Sequence, residues 1–96
     1  MKKHNDQKIK DVLKALADQR QLKGKLRLTK IRSSWSELMG PTISGYTTDI
    51  NLRKNTLYIT LNSAPLKQEL SMGKEKIKRL LNETLGEEFL EEVVIR

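Results

Sequence analysis

The chain has 96 residues, enough for one domain with a single modest core and too few for two. It contains no cysteine, which excludes a disulfide framework, a thiolate metal site and a cysteine nucleophile. The net charge of +7 is unevenly spread: residues 1–34 carry 11 Lys/Arg against 3 Asp/Glu, whereas residues 82–96 have a net charge of −4. Such a field attracts polyanions, although a plain solvated surface accounts for the charge equally well.

Apolar residues make up 36% of the chain and aromatics only 4%, so the core is expected to be aliphatic around the single Trp. The start, Met1 to Asp6, has the charge of a signal peptide without an apolar run behind it. No segment has the length of continuous apolar residues that spans a bilayer. A soluble, cytoplasmic protein is the expectation, with residues 1–96 forming one domain and residues 1–5 flexible.

In chain order, Asp6 caps a first helix. Its apolar positions Ile9, Val12, Leu13 and Leu16 recur at three, one and three residues, one stripe of a 3.6-residue period. Gly24 reads as a break. A second helix runs from Lys25 to Met39, with Leu28, Ile31, Trp35, Leu38 and Met39 on one face. Gly40-Pro41 stops it, Gly as a cap and Pro as a residue that cannot continue a helix.

The period then changes to two. Tyr46, Thr48, Ile50 and Leu52 alternate with polar residues, and after Lys54-Asn55 so do Leu57, Ile59 and Leu61. This is a hairpin signal, with Asn suited to a left-handed turn position. The phase puts Tyr46 on the buried side and Tyr58 on the open side, free to stack. Ser63 caps a third helix that tolerates Pro65 in its first turn. Leu66, Leu70, Ile77, Leu80 and Leu81 share its core face; Gly73 falls on the same face and reads as a close-packing position within one continuous helix. Gly86 ends the helix, and Leu90 to Ile95 supply a last strand. The order α-α-β-β-α-β predicts a two-layer α+β domain: a three-stranded sheet, its last strand joined by a crossover, with helices on one face.

Catalysis is hard to assemble from these residues. The one histidine, His4, sits in a polar terminal segment with nothing to orient it. Ser33, Ser34 and Ser36 lack a base, the acidic residues after Asn82 read as a solvated face, and no phosphate-binding glycine loop is present. A non-enzymatic protein without cofactor, metal or small-molecule substrate is expected.

The basic surface remains. Lys23, Arg27 and Lys30 line one flank of the second helix, Lys25 and Arg32 the other, and Lys67, Lys74 and Lys78 form a row along the third helix. These eight are the candidate nucleic-acid-binding residues. If both rows border one side of the layer, they make a groove for a phosphate backbone. Lysines beside an apolar face also snorkel over it, so a purely structural role stands as the alternative. Trp35, on the buried face, reads as a core anchor and not as a stacking platform.

Trp35-Ser-Glu-Leu-Met-Gly40 before a hairpin resembles the W-x-x-x-x-G element of the DciA family. The likeness continues through strand Leu57 to Ser63, then Gln68-Glu69-Leu70, Leu80-Leu81-Asn82, Gly86 and the terminal Val93-Val94-Ile95-Arg96. It covers nearly the whole chain and rests on order and spacing. The resemblance implies a fold similar to a K-homology (KH) domain. It also implies a role as loader of the bacterial replicative DNA helicase, with single-stranded or forked DNA as a further partner. No G-x-x-G loop is present, the nearest stretch being Gly73-Lys74-Glu75-Lys76, so phosphate clamping of the K-homology type is not expected. Many members carry a long disordered tail, which is missing from these 96 residues, so a helicase contact made by such a tail is not carried over from the resemblance.

Three readings follow: a helicase-and-DNA adaptor, a general RNA- or single-stranded-DNA-binding module, and a domain whose basic face docks an acidic protein. The resemblance favours the first. Salt separates them, because phosphate contacts weaken steeply with ionic strength whereas a buried apolar anchor does not.

Overall fold

A computed structural model describes the backbone from Lys2 to Arg96 and the side chains from Lys8 onward. The expectations for residues 1–5, His4 included, fall outside those side chains. Six elements follow one another: α1 (Lys2–Tyr46), β1 (Thr47–Arg53), β2 (Thr56–Leu61), α2 (Ala64–Ser71), α3 (Lys74–Leu85) and β3 (Glu92–Ile95). The architecture is the expected α+β layer pair. The start of α1 lies at Lys2, so Asp6 falls inside the helix and is not its cap, and two further helix boundaries move.

The first lies within α1, which is two helical segments joined at a kink. The division falls at Gly40 (φ 89°, ψ 165°) and not at Gly24. A helical glycine costs only about 1 kcal/mol relative to Ala, whereas a positive φ interrupts the ladder outright. The expected stop at Gly40-Pro41 stands, but the chain resumes a helix at once. Pro41 opens the short segment that reaches Tyr46, a first-turn position where its missing N–H loses nothing.

The second boundary is Gly73. Residue 73 separates α2 from α3 and caps the latter, so the third helix is not continuous. A Cβ there would come no closer than 3.9 Å to Leu70 O, so close packing is not the reason for the glycine. The other punctuation stands. The Ser63 hydroxyl accepts a hydrogen bond from Leu66 N–H, and Gly86 closes α3 in the left-handed conformation (φ 74°).

The sheet order is β1-β2-β3, with β1 antiparallel and β3 parallel to β2, the parallel pair being connected through α2 and α3. The hairpin loop is Lys54-Asn55, and Lys54, not the asparagine, takes the positive φ of 53°. Asn55 is used for anchoring instead. Its side-chain NH₂ donates to Phe89 O at 2.8 Å, and its carbonyl accepts from Glu91 N–H at 2.9 Å.

A register shift between Thr47 and Asp49 reverses the phase of β1 at its start. Thr47 therefore faces the core side with Ile50; Tyr46, still in the last turn of α1 and not in the strand, is exposed, contrary to the plain alternation. Tyr58 is half-buried, its ring covered by the Arg96 guanidinium at 4.7 Å, and is not free to stack.

The core joins Ile31 and Trp35 of α1 to Ile50, Leu57, Ile59 and Leu61 of the hairpin. Leu70, Ile77, Leu81, Leu90 and Val93 complete it. Trp35 Nε1 donates to the Thr47 hydroxyl at 2.9 Å, and that hydroxyl donates to Ile43 O at 2.7 Å, so the indole fastens the helix to the first strand. By contrast, Ile9, Val12, Leu13 and Leu16 are exposed. The molecule measures 64 × 23 × 20 Å with a radius of gyration of 17.7 Å. A compact chain of this length has a radius of about 13 Å, so the N-terminal part of α1 projects as an arm.

Candidate nucleic-acid interface

Where α1 leaves the body, its side chains meet the hairpin tip and the loop before β3. That loop is held from two sides. Asn82 accepts the Leu90 N–H at 2.9 Å and donates to the Leu90 carbonyl at 3.2 Å, while Asn55 takes Phe89 O. Phe89 is thereby set against α1, and Arg27 lies over its ring at 3.9 Å.

The same guanidinium donates to both carboxylate oxygens of Glu87, at 2.9 and 3.2 Å. This hydrogen bond, with the positive charges of Arg27 and Lys23 nearby, holds the Glu87 carboxyl below the usual carboxylate range. Bidentate geometry and cation–π contact together pin Arg27 in place.

Beside this clamp an open groove of about 670 Å³ runs between α1 and the hairpin tip. Leu28, Leu52 and Phe89 supply its apolar surface, and Arg20, Lys25, Arg27 and Lys54 its charge. No carboxylate lines it among the described residues. Three of these cations are exposed, Arg27 being the pinned one. Cations around an apolar floor are what a single nucleic-acid strand requires, since phosphates meet the charge while base faces cover the apolar surface.

The eight candidate residues do not gather in one place. Lys25 and Arg27 line the hairpin-tip groove. Lys23 lies on the Glu87 side of α1, and Lys30 is exposed one turn beyond Arg27. Arg32 serves the opposite edge: it donates twice to Ile50 O, at 2.7 and 3.0 Å, and stands 4.0 Å from Asp49. Because β1 is an edge strand, this guanidinium covers a carbonyl that is otherwise open to another chain.

Lys78 pairs with Glu75 at 2.9 Å. It borders a second groove of about 950 Å³ along α3, where Glu75, Glu83, Glu87, Glu88 and Glu91 outnumber Lys76, Lys78 and Arg79. Lys67 and Lys74 are exposed on α2 and on the first turn of α3. Lys25 and Arg27 thus line a cationic groove, and Lys78 a different one with a carboxylate excess.

Arg20, Lys54 and Phe89 carry no signal as a set in the linear sequence. Arg20 stands in the polar run Asp18 to Gln21, Lys54 in the hairpin turn, and Phe89 between Glu88 and Leu90. Only the unbroken helix and the Asn55 anchor bring them to one groove.

The model of the family described as "Dna[CI] antecedent, DciA" matches residues 8–95. No curated protein and no solved structure matches the chain.

Proposed function

The chain belongs to the DciA family, whose role in DNA replication is of the helicase-loader type, and from that premise we propose that it is a non-enzymatic adaptor joining the replicative helicase to single-stranded or forked DNA. The observation that carries the DNA half of this reading is the hairpin-tip groove, with Arg20, Lys25 and Lys54 exposed around Leu28, Leu52 and Phe89 and no acid in its lining among the described residues. A strand laid there meets charge and apolar surface together, and a clamp of the K-homology type is not needed. The α3 groove, with its excess of carboxylates, repels the same ligand.

Of the eight candidate residues, Lys25 is the one assigned a direct phosphate contact. Lys23 and Lys30 extend the field along α1. Arg27 builds the groove wall and Arg32 the sheet edge, so removal of either disturbs structure as well as charge. Lys67, Lys74 and Lys78 steer at a distance.

Anisotropy of labelled single-stranded DNA tests this, titrated at low and at physiological salt. The triple variant Arg20→Glu/Lys25→Glu/Lys54→Glu is expected to bind at least about tenfold more weakly and to lose roughly one unit of salt slope per phosphate contact removed. The variant Lys67→Glu/Lys74→Glu is expected to stay close to wild type. The reverse ranking would move the DNA site to α2 and α3.

A further inference from the structure

The arm presents an apolar stripe that nothing in the fold uses. Ile9, Val12, Leu13 and Leu16 are 48–60% exposed, although their spacing makes a continuous face. Together they offer a few hundred Å², the size of patch that on a monomer marks an interaction surface. The family match begins at residue 8, so the arm belongs to the family's unit.

Charge narrows what can cover it. Arg20 and Lys23 continue the stripe, four and seven residues beyond Leu16. Lys8 and Lys10 flank it, while Asp11 and Asp18 lie on the far side of the helix. The apolar face is therefore bordered by cations, and its two carboxylates point away.

A nucleic-acid strand is a poorer match than in the hairpin-tip groove: the stripe is the open face of one helix, without the ring that Phe89 supplies there, so bases would find neither a stacking partner nor a second wall. Two copies of the arm laid face to face would bring two cation-bordered stripes together in either orientation, with Asp11 and Asp18 on the far sides unable to offset them. A bilayer surface is a poorer match, since the stripe has no Trp, Tyr or Phe to seat at the headgroups. A helix lying in an apolar groove with acidic walls satisfies both the stripe and its border.

We propose that residues 8–23 of α1 form a docking arm that lays Ile9, Val12, Leu13 and Leu16 into an apolar groove of the replicative helicase, whose carboxylates meet Arg20 and Lys23. The proposal rests on the adaptor reading above and places its protein-binding half on the arm, next to the groove that takes DNA. Because Arg20 serves both surfaces, the two ligands approach from adjoining sides of one helix.

The test is biolayer interferometry of the full chain against the purified replicative helicase hexamer, with Leu13→Gln/Leu16→Gln as the variant. Glutamine keeps the helix propensity and the charge, so melting temperature and single-stranded-DNA affinity should not move. Helicase affinity is expected to fall about tenfold or more. A variant that binds the helicase as wild type does overturns the arm and leaves the adaptor reading standing. A wild-type chain that does not bind the helicase overturns both. Sedimentation showing that the variant converts a dimer to a monomer would assign the stripe to a second copy. Loss of wild-type binding to phosphatidylserine vesicles would assign it to a membrane surface; either result overturns the helicase groove.

Discussion

The two halves of α1 carry the same kind of pattern and meet opposite fates. In residues 28–39 the apolar stripe closes over the sheet, with Ile31 and Trp35 buried; in residues 8–16 a stripe of equal regularity stands in solvent. Nothing in the local sequence distinguishes them by period. The difference is that Leu28 onward lies opposite the hairpin and α3, while the arm has passed the edge of the body. An amphipathic period specifies that a face exists, and the partner for that face is a separate matter. A helix of this length is supported at one end only, so the proximal half holds the fold and the distal half is left for contacts with other molecules.

The largest effect that would test this division is at the indole. Trp35→Ala removes a buried ring and the donor to Thr47, and should cost about 3–5 kcal/mol, enough to unfold a domain this small. A denaturant melt at wild-type midpoint would mean that the proximal half is not the anchor. Gly24→Ala, at the junction of the halves, should raise stability by about 0.5–1 kcal/mol, since a Cβ there meets nothing within 4 Å. A loss of stability would reveal a hinge at the position where the helix runs unbroken. Leu13→Ala in the arm should change the melt by less than about 0.5 kcal/mol, because exposed residues away from packed features contribute little. A cost of the size seen at Trp35 would show that the arm packs on something in the free protein.

The smallest effect concerns the clamp that holds Phe89 to α1. Glu87 has a folded pKa below its unfolded value, so its contribution is fully present above the unfolded pKa and is lost as pH falls through the lowered folded one. The acid limb of the stability profile, below the ordinary carboxylate range, should be shallower in Glu87→Gln. Coincident profiles for the two proteins would show that the Arg27 pair adds nothing in solution.

Much of the body was legible in the linear pattern. The change of period from 3.6 to 2, Ser63 before Pro65, Gly86 and the core face of α1 are all local matters of backbone freedom and side-chain spacing. They hold because each is decided within a few residues. Residue type alone misplaces two glycines. Gly24 sits in an unbroken helix, and Gly73 divides one, because a glycine permits a break without requiring it. Tyr46 belongs to the last turn of α1 and not to the strand, and a bulge at the start of β1 shifts the phase by one residue; no alternation count contains either.

The candidate site divides along the same line. The sequence by itself determined that the charge is concentrated toward the N-terminus, that Trp35 is a core residue, and that no cysteine chemistry is available. Only the tertiary structure decided which cations share a surface. It ties Arg27 to Glu87 and Phe89 and gives Arg32 to an edge carbonyl. It joins Arg20 and Lys25 to Lys54 across the hairpin tip. Charge is a property of composition and survives any rearrangement of the chain. A groove depends on which elements end beside one another, and the Asn55 and Asn82 anchors that bring those ends together act across 34 and 8 residues of sequence.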